Sequence, residues 1–121
     1  MIAVLEMIKN NDIIRWVNKG RTYQFNLNHI DQCMVDEKRQ LIFILSGGLP
    51  LPNNLDILDN VGRVVFSSLP PEGSTFYYLT KSISHEVVVV CSFEKKVDNW
   101  YDWYHLFDTK SCELHRLGPA Y

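Results

Sequence analysis

The chain has 121 residues, of which 46% are hydrophobic and 21% charged, and its formal net charge is −2. That length holds one domain with one core, and that balance belongs to a folded globular chain rather than a disordered one. A charge so near neutrality speaks against a nucleic-acid binder, because Lys38-Arg39 follows Asp36-Glu37 and Lys95-Lys96 lies between Glu94 and Asp98, which reads as solvated mixed-charge turns rather than a basic stripe.

The chain opens with Met1 to Met7, where Glu6 interrupts the apolar run and no basic leader precedes it, so a signal peptide is not expected. Ile2, Leu5 and Ile8 fit a helical turn as well as a strand. Asn18-Lys19-Gly20 supplies a glycine for a tight hairpin, and Tyr23-Gln24-Phe25-Asn26-Leu27 then alternates so that Tyr23, Phe25 and Leu27 share one face of a strand. Residues 28–40 are ambiguous. Ile30, Cys33, Met34 and Leu41 follow Asn28 near helical spacing, but a strand centred on Cys33-Met34-Val35 is equally allowed, and strand is the expectation adopted.

Leu41 to Leu45 and Val87 to Cys91 are short, continuously apolar and rich in β-branched or aromatic residues, which predicts strands buried on both faces. The second is the longest apolar run and is far too short to span a bilayer. Gly47 to Asn54 is a loop by composition, and so is Leu69 to Ser74, whose two prolines cannot donate to a central ladder. Between these loops, Leu55 to Asp59 turns through Asn60-Val61-Gly62 into Val64 to Phe66. Near the end, Trp103 to Asp108 turns through Thr109 to Glu113 into Leu114 to Leu117.

These segments recur. Asn18-Lys19-Gly20-Arg21 matches Asn60-Val61-Gly62-Arg63, and Leu41 to Ser46 matches Val87 to Ser92 in character. The order is buried strand, loop, strand, aspartate-containing turn, strand, with a degenerate copy in residues 12–27. A strand-built period of about 40–50 residues is what propeller blades show, although three units are too few to close one. The expected fold is therefore mainly β, an antiparallel meander of hairpins in one domain over residues 1–121. An open partial propeller and a curved sandwich both fit it.

Three cysteines, Cys33, Cys91 and Cys112, are odd in number and far apart, which suits buried free thiols in a reducing cytoplasm better than a disulfide framework. No metal site is expected, since the close pair Cys112 and His115 has no second pair to match it, and no cofactor motif is present. GxSxG and GxxxxGK[ST] are absent, and Gly47-Gly48 reads as a turn. The histidines are His29, His85, His105 and His115. A small RNase using His105 or His115 is the enzymatic alternative, but nothing in their spacing selects an acid–base pair. His105 alternates with Trp103 and Phe107, as a hydrogen-bonded core residue would. The preferred expectation is a protein that is not an enzyme.

The densest feature is Val97 to His105. Strict alternation places Tyr101, Trp103, His105 and Phe107 on one face, and Trp100, Asp102, Tyr104 and Leu106 on the other. Trp103 and Phe107 are expected in the core. Trp100 and Tyr101, nearest the loop, are candidates for partner contact, because such rings bring apolar area with a polar handle. Asp98 and Asp102 beside them could meet cationic groups, and they disfavour stacking of single-stranded nucleic acid.

The pattern of Val87 to Cys91, Asn99-Trp100-Tyr101-Asp102-Trp103, Phe107-Asp108-Thr109 and Leu117-Gly118-Pro119 resembles small blade-like bacterial β proteins. Some of these are immunity proteins of contact-dependent growth inhibition and related toxin–immunity systems. The resemblance spans residues 40–121 and has no diagnostic motif. It implies a cytoplasmic protein that binds and neutralises a cognate toxin domain, commonly a nuclease, and acts as a monomer or weak homodimer without binding nucleic acid or membrane. On that expectation the partner-binding residues are Trp100, Tyr101, Asp98 and Asp102, with Asp36-Glu37 as a second acidic patch. The remaining alternative is an accessory subunit whose sheet edge pairs with another chain.

Overall fold

In a computed structural model that describes residues 1–8, 12–48 and 50–120, the chain forms eleven strands and no helix among those residues. They are β1 (Ile2–Ile8), β2 (Ile13–Asn18), β3 (Arg21–Asn26), β4 (Ile30–Asp36), β5 (Leu41–Ser46), β6 (Asn54–Leu58), β7 (Val64–Ser68), β8 (Ser74–Lys81), β9 (Val87–Val97), β10 (Trp100–Asp108) and β11 (Glu113–Pro119). Each strand pairs antiparallel with its neighbour in sequence, giving three meander sheets: β1 to β3, β4 to β7 and β8 to β11. The mainly β meander is thus observed, and both ambiguous segments, Ile2–Ile8 and Ile30–Asp36, are strands. Leu49 of the predicted Gly47 to Asn54 loop lies outside the described residues.

The chain reverses where its residues tolerate a positive φ. Lys19 (φ 51°) and Gly20 (φ 76°) close β2 onto β3, and Asp98 (φ 45°) and Asn99 (φ 72°) close β9 onto β10. Two consecutive positive φ values make the mirror-image turn whose twist matches that of the strands. Aspartates close the corresponding last hairpins of the second and third sheets. Asp59 Oδ1 accepts the Val61 and Arg63 amides at 3.0 and 2.9 Å, and Asp108 Oδ1 accepts those of Lys110 and Ser111 at 2.8 and 3.3 Å. The sequence repeat therefore has a structural counterpart in the two four-stranded meanders.

The second sheet lies between the other two. Its Ile42, Ile44 and Leu58 face Ile2, Ile14 and Trp16 of the first sheet. Its opposite side, Leu41, Phe43, Leu45, Leu55 and Ile57, faces Phe76, Leu79, Val87, Val89, Cys91 and Phe107 of the third. Strand β5 is buried along its whole length for that reason, as its unbroken apolar run predicts. Tyr23, Phe25 and Leu27 lean on the first of these cores. The layers form two separate cores, where the chain length suggests one, and no closed barrel. This packing does not establish a propeller.

Polar groups tie the layers together. Trp16 Nε1 donates to the Asn60 carbonyl at 2.9 Å, linking the first sheet to the β6–β7 hairpin. Gln32 of β4 spans to the edge of the third sheet, donating to the Tyr77 carbonyl at 3.1 Å and accepting the Leu79 amide at 2.9 Å. Asp36 is completely buried. Its carboxylate accepts the Arg39 amide, Arg39 Nε and the Val87 amide, each at 2.9 Å, while Arg39 Nη1 donates to the Phe107 carbonyl.

Four expectations are corrected here. Asp36 does not belong to a surface patch, because it anchors the β4–β5 turn to the third sheet; Glu37 alone stays exposed. Lys38 is exposed in the turn as expected, but Arg39 is mostly buried beside Asp36, so only one of the pair is solvated. Lys95-Lys96 lies within β9, and the turn falls at Asp98-Asn99. Of the free thiols, Cys91 is buried and Cys33 half-buried, but Cys112 is exposed.

Candidate functional site

The third sheet has one face without a covering layer. Cross-strand registers set which residues share it. Tyr78 and Tyr104 both pair with Val90, Thr80 and Leu106 with Val88, and Thr75 and Asp102 with Ser92. Paired residues point to the same side of a sheet. The alternate set, Phe76, Leu79, Cys91, Trp103, His105 and Phe107, is buried. Trp103 and Phe107 are core residues as expected.

Val88 and Val90 are buried although no second sheet lies above them. Tyr78 and Tyr104 flank Val90, and Thr80 and Leu106 flank Val88, so neighbouring side chains shield the valines. The prediction that Val87 to Cys91 is buried on both faces is met by a core on one side and by tyrosines on the other.

Two irregularities enrich this face. A register shift between Phe76 and Tyr78 gives β8 an extra residue there, so Tyr77 stands exposed, its ring edge-on to Tyr78 at 5.0 Å. A second shift, between Trp100 and Asp102, sets five steps of β9 against two of β10. Tyr101 lines the same concavity as Asp102, with Leu51, Tyr77 and Ser92, in a volume of about 460 Å³. At the far end of the face, Val88, Tyr104 and Leu117 line a second concavity of about 380 Å³ with residues 81–84, beside the fully exposed Ile83.

Electrostatics follow this layout. Burial, then Tyr104, Asp102 and Tyr77, push the Tyr78 hydroxyl above its ordinary pKa. Among the described residues no cation forms an ion pair with Asp102. Lys96 Nζ lies 5.4 Å from the Tyr101 ring centre.

The other candidates fall around this face. Trp100 and Asp98 are exposed at the β9–β10 hairpin tip, where Trp100 contributes its carbonyl to Trp103 Nε1 at 3.2 Å. Glu37 lines a separate hollow with Lys38, Lys81, Ser84 and His85, next to the Ile83 end. Tyr101 and Asp102 thus share one concavity, Trp100 and Asp98 stand at the adjoining hairpin tip, and Asp36 is withdrawn. Tyr77, Tyr78 and Tyr104 were not singled out from sequence. Strand alternation in Ser74–Lys81 could have placed Tyr78, but the bulge that exposes Tyr77 leaves no mark in the residue pattern.

His105 and His115 cannot serve one substrate. His105 pairs with Val89 and is buried, its Nδ1 3.1 Å from the Trp103 carbonyl; His115 pairs with the outward-facing Leu106 and is exposed. Burial, assisted by Arg116, lowers the pKa of His105 against the opposing pull of the Trp103 carbonyl. Near His115, Ser111 Oγ lies 3.1 Å from Nε2, and the Asp108 and Glu113 carboxylates lie 3.8 Å from that same nitrogen. A relay needs the acid on one ring nitrogen and the nucleophile on the other, so this cluster lacks the arrangement. No group of three metal-ligating side chains occurs among the described residues, and no helix there is long and apolar enough to cross a membrane. No protein-family model, no curated protein and no solved structure matches this chain.

Proposed function

We propose that the chain is a non-enzymatic binding protein of the immunity type, which neutralises a cognate toxin domain by covering it with the outer face of the third sheet. The observation that carries this reading is the joining of Tyr77, Tyr78, Tyr101 and Tyr104 with Asp102 on one uncovered face of a rigid sheet. Tyrosines give contact area at low entropic cost, and a carboxylate without a cationic partner favours a basic surface opposite, such as the substrate cleft of a nuclease. The free cysteines suit a reducing cytoplasm, where such an inhibitor would meet its target.

The test has two steps. Tagged protein is used to capture a partner from the cells that make it, and the captured protein is then expressed alone and together with the chain. Growth arrest by the partner, relieved by the wild-type chain but not by a Tyr101→Ser/Tyr104→Ser variant that folds normally, is the expected outcome. Relief that survives the double substitution would move the inhibitory surface elsewhere, and a harmless partner would end the immunity reading.

One observation favours a second reading, an accessory subunit that pairs through a sheet edge. Val64 and Val65 are exposed on β7, the outermost strand of the second sheet. A concentration-dependent homodimer, abolished by Val65→Lys, would support it.

A further inference from the structure

We infer that the concavity between Tyr77, Tyr101 and Asp102 receives an arginine side chain of the partner. This rests on the reading of the face as a protein-binding surface and gives it a chemical specificity.

The lining is suited to a guanidinium in each of its parts. Tyr77 and Tyr101 bring two aromatic side chains to the lining, and aromatic rings attract a planar cation. Asp102 supplies a carboxylate able to accept two parallel N–H bonds, and it has no cation of its own in ion-pair contact among the described residues. The Ser92 hydroxyl can accept a further N–H, and Leu51 offers apolar surface to the methylene stem. The chain itself displays the attraction: Lys96 Nζ stands over the Tyr101 ring at 5.4 Å yet makes no ion pair with Asp102. A lysine on the partner would satisfy the charge but neither the bidentate geometry nor the stacking, so arginine is the occupant that fits.

The pocket is supported from behind. Asp102 pairs with Ser92 within the sheet, and its carbonyl accepts the Ala120 amide at 2.8 Å. Tyr77 is held at its carbonyl by the Gln32 side chain. The backbone beneath Tyr77 and Asp102 is therefore held before a ligand arrives.

The experiment is a two-dimensional amide NMR titration of the full chain with N-acetyl-arginine amide, and with N-acetyl-citrulline amide as the uncharged control, each to its solubility limit. Saturable shifts centred on Tyr77, Ser92, Tyr101 and Asp102 are expected. Because charge-assisted bonds are lost, citrulline should bind at least about tenfold more weakly, and so should arginine to Asp102→Asn. The near-isosteric Asn keeps the fold, which the same spectra verify. No saturable binding, binding centred elsewhere, or equal affinities for arginine and citrulline would overturn the assignment. A null titration combined with partner capture that Tyr104→Ser abolishes would reject the pocket and leave the face. Arginine binding combined with capture indifferent to both substitutions would reject the face and keep the pocket.

Discussion

Substituting Asp36 by alanine strands the Arg39 guanidinium and the Val87 amide, both of which depend on its carboxylate. Breaking such a buried pair costs about 3–5 kcal/mol, a large part of the roughly 5–15 kcal/mol that stabilises a small domain. Substitution of the neighbouring exposed Glu37 should stay within about 0.5 kcal/mol. Urea unfolding of the two variants measures the contrast, and equal effects would refute the anchoring role of Asp36. The sequence shows two adjacent acids; only the fold distinguishes them, because β4 ends with Asp36 turned inward and Glu37 in the turn.

Two further residue-level predictions concern titration and thiol reactivity. His105 has a folded pKa below its ordinary 6.5, chiefly through burial, so on acidification the unfolded chain takes up its proton first. Its contribution is complete above 6.5 and is lost as pH falls from there through the lower folded value. The Lys110 and Ser111 amides hold Asp108 below 3.8; for Asp59, burial pushes upward but the Arg63 and Val61 amides and the Arg63 side chain outweigh it. These two contributions persist above 3.8 and disappear as pH drops below that. Stability measured against pH should therefore fall in two legs, and His105→Gln should flatten only the upper one. Among the cysteines, burial pushes the Cys91 thiol up to about 12, while Cys112 is exposed. Alkylation of the native protein followed by mass spectrometry should modify Cys112 first and Cys91 only on unfolding.

At the scale of elements, the bridge from Gln32 to β8 is the contact most open to test. It satisfies the Leu79 amide across the seam between β4 and β8. Removing it with Gln32→Ala leaves that amide without its partner, at a cost of about 1–3 kcal/mol. Faster hydrogen exchange at Leu79, with little change in β10, is the expected signature. Much of the element pattern was legible beforehand: the runs Leu41 to Leu45 and Val87 to Cys91 announced central strands, and Asn18-Lys19-Gly20 announced its hairpin. Ile30–Asp36 was harder, because its apolar residues satisfy helical and extended spacing alike, and the choice came from pairing with Leu41–Ser46. Alternation sets Tyr101 opposite Asp102, yet both line one concavity, which the residue pattern does not announce. Long-range partners such as Arg39 with Phe107, or Gln32 with Tyr77, have no local signal at all.

For the whole molecule, the arrangement of three sheets leaves the outer sides of the first and third uncovered, and that of the first carries the polar Glu6, Arg15 and Gln24. The second sheet spends both of its sides on the two cores, and the third spends one. Its other side carries Tyr77, Tyr78, Tyr101, Tyr104 and Asp102, flanked by the exposed Trp100 and Ile83. The central claim is that this face binds a protein partner. The most direct measurement is quantitative capture from the source cells with three tagged, folded forms: wild type, Tyr101→Ser/Tyr104→Ser, and the β7-edge variant Val65→Lys. One protein should be recovered in near-equal amount by wild type and the edge variant and be lost from the face variant. Recovery by the face variant equal to wild type, or no specific protein with any form, would contradict that claim.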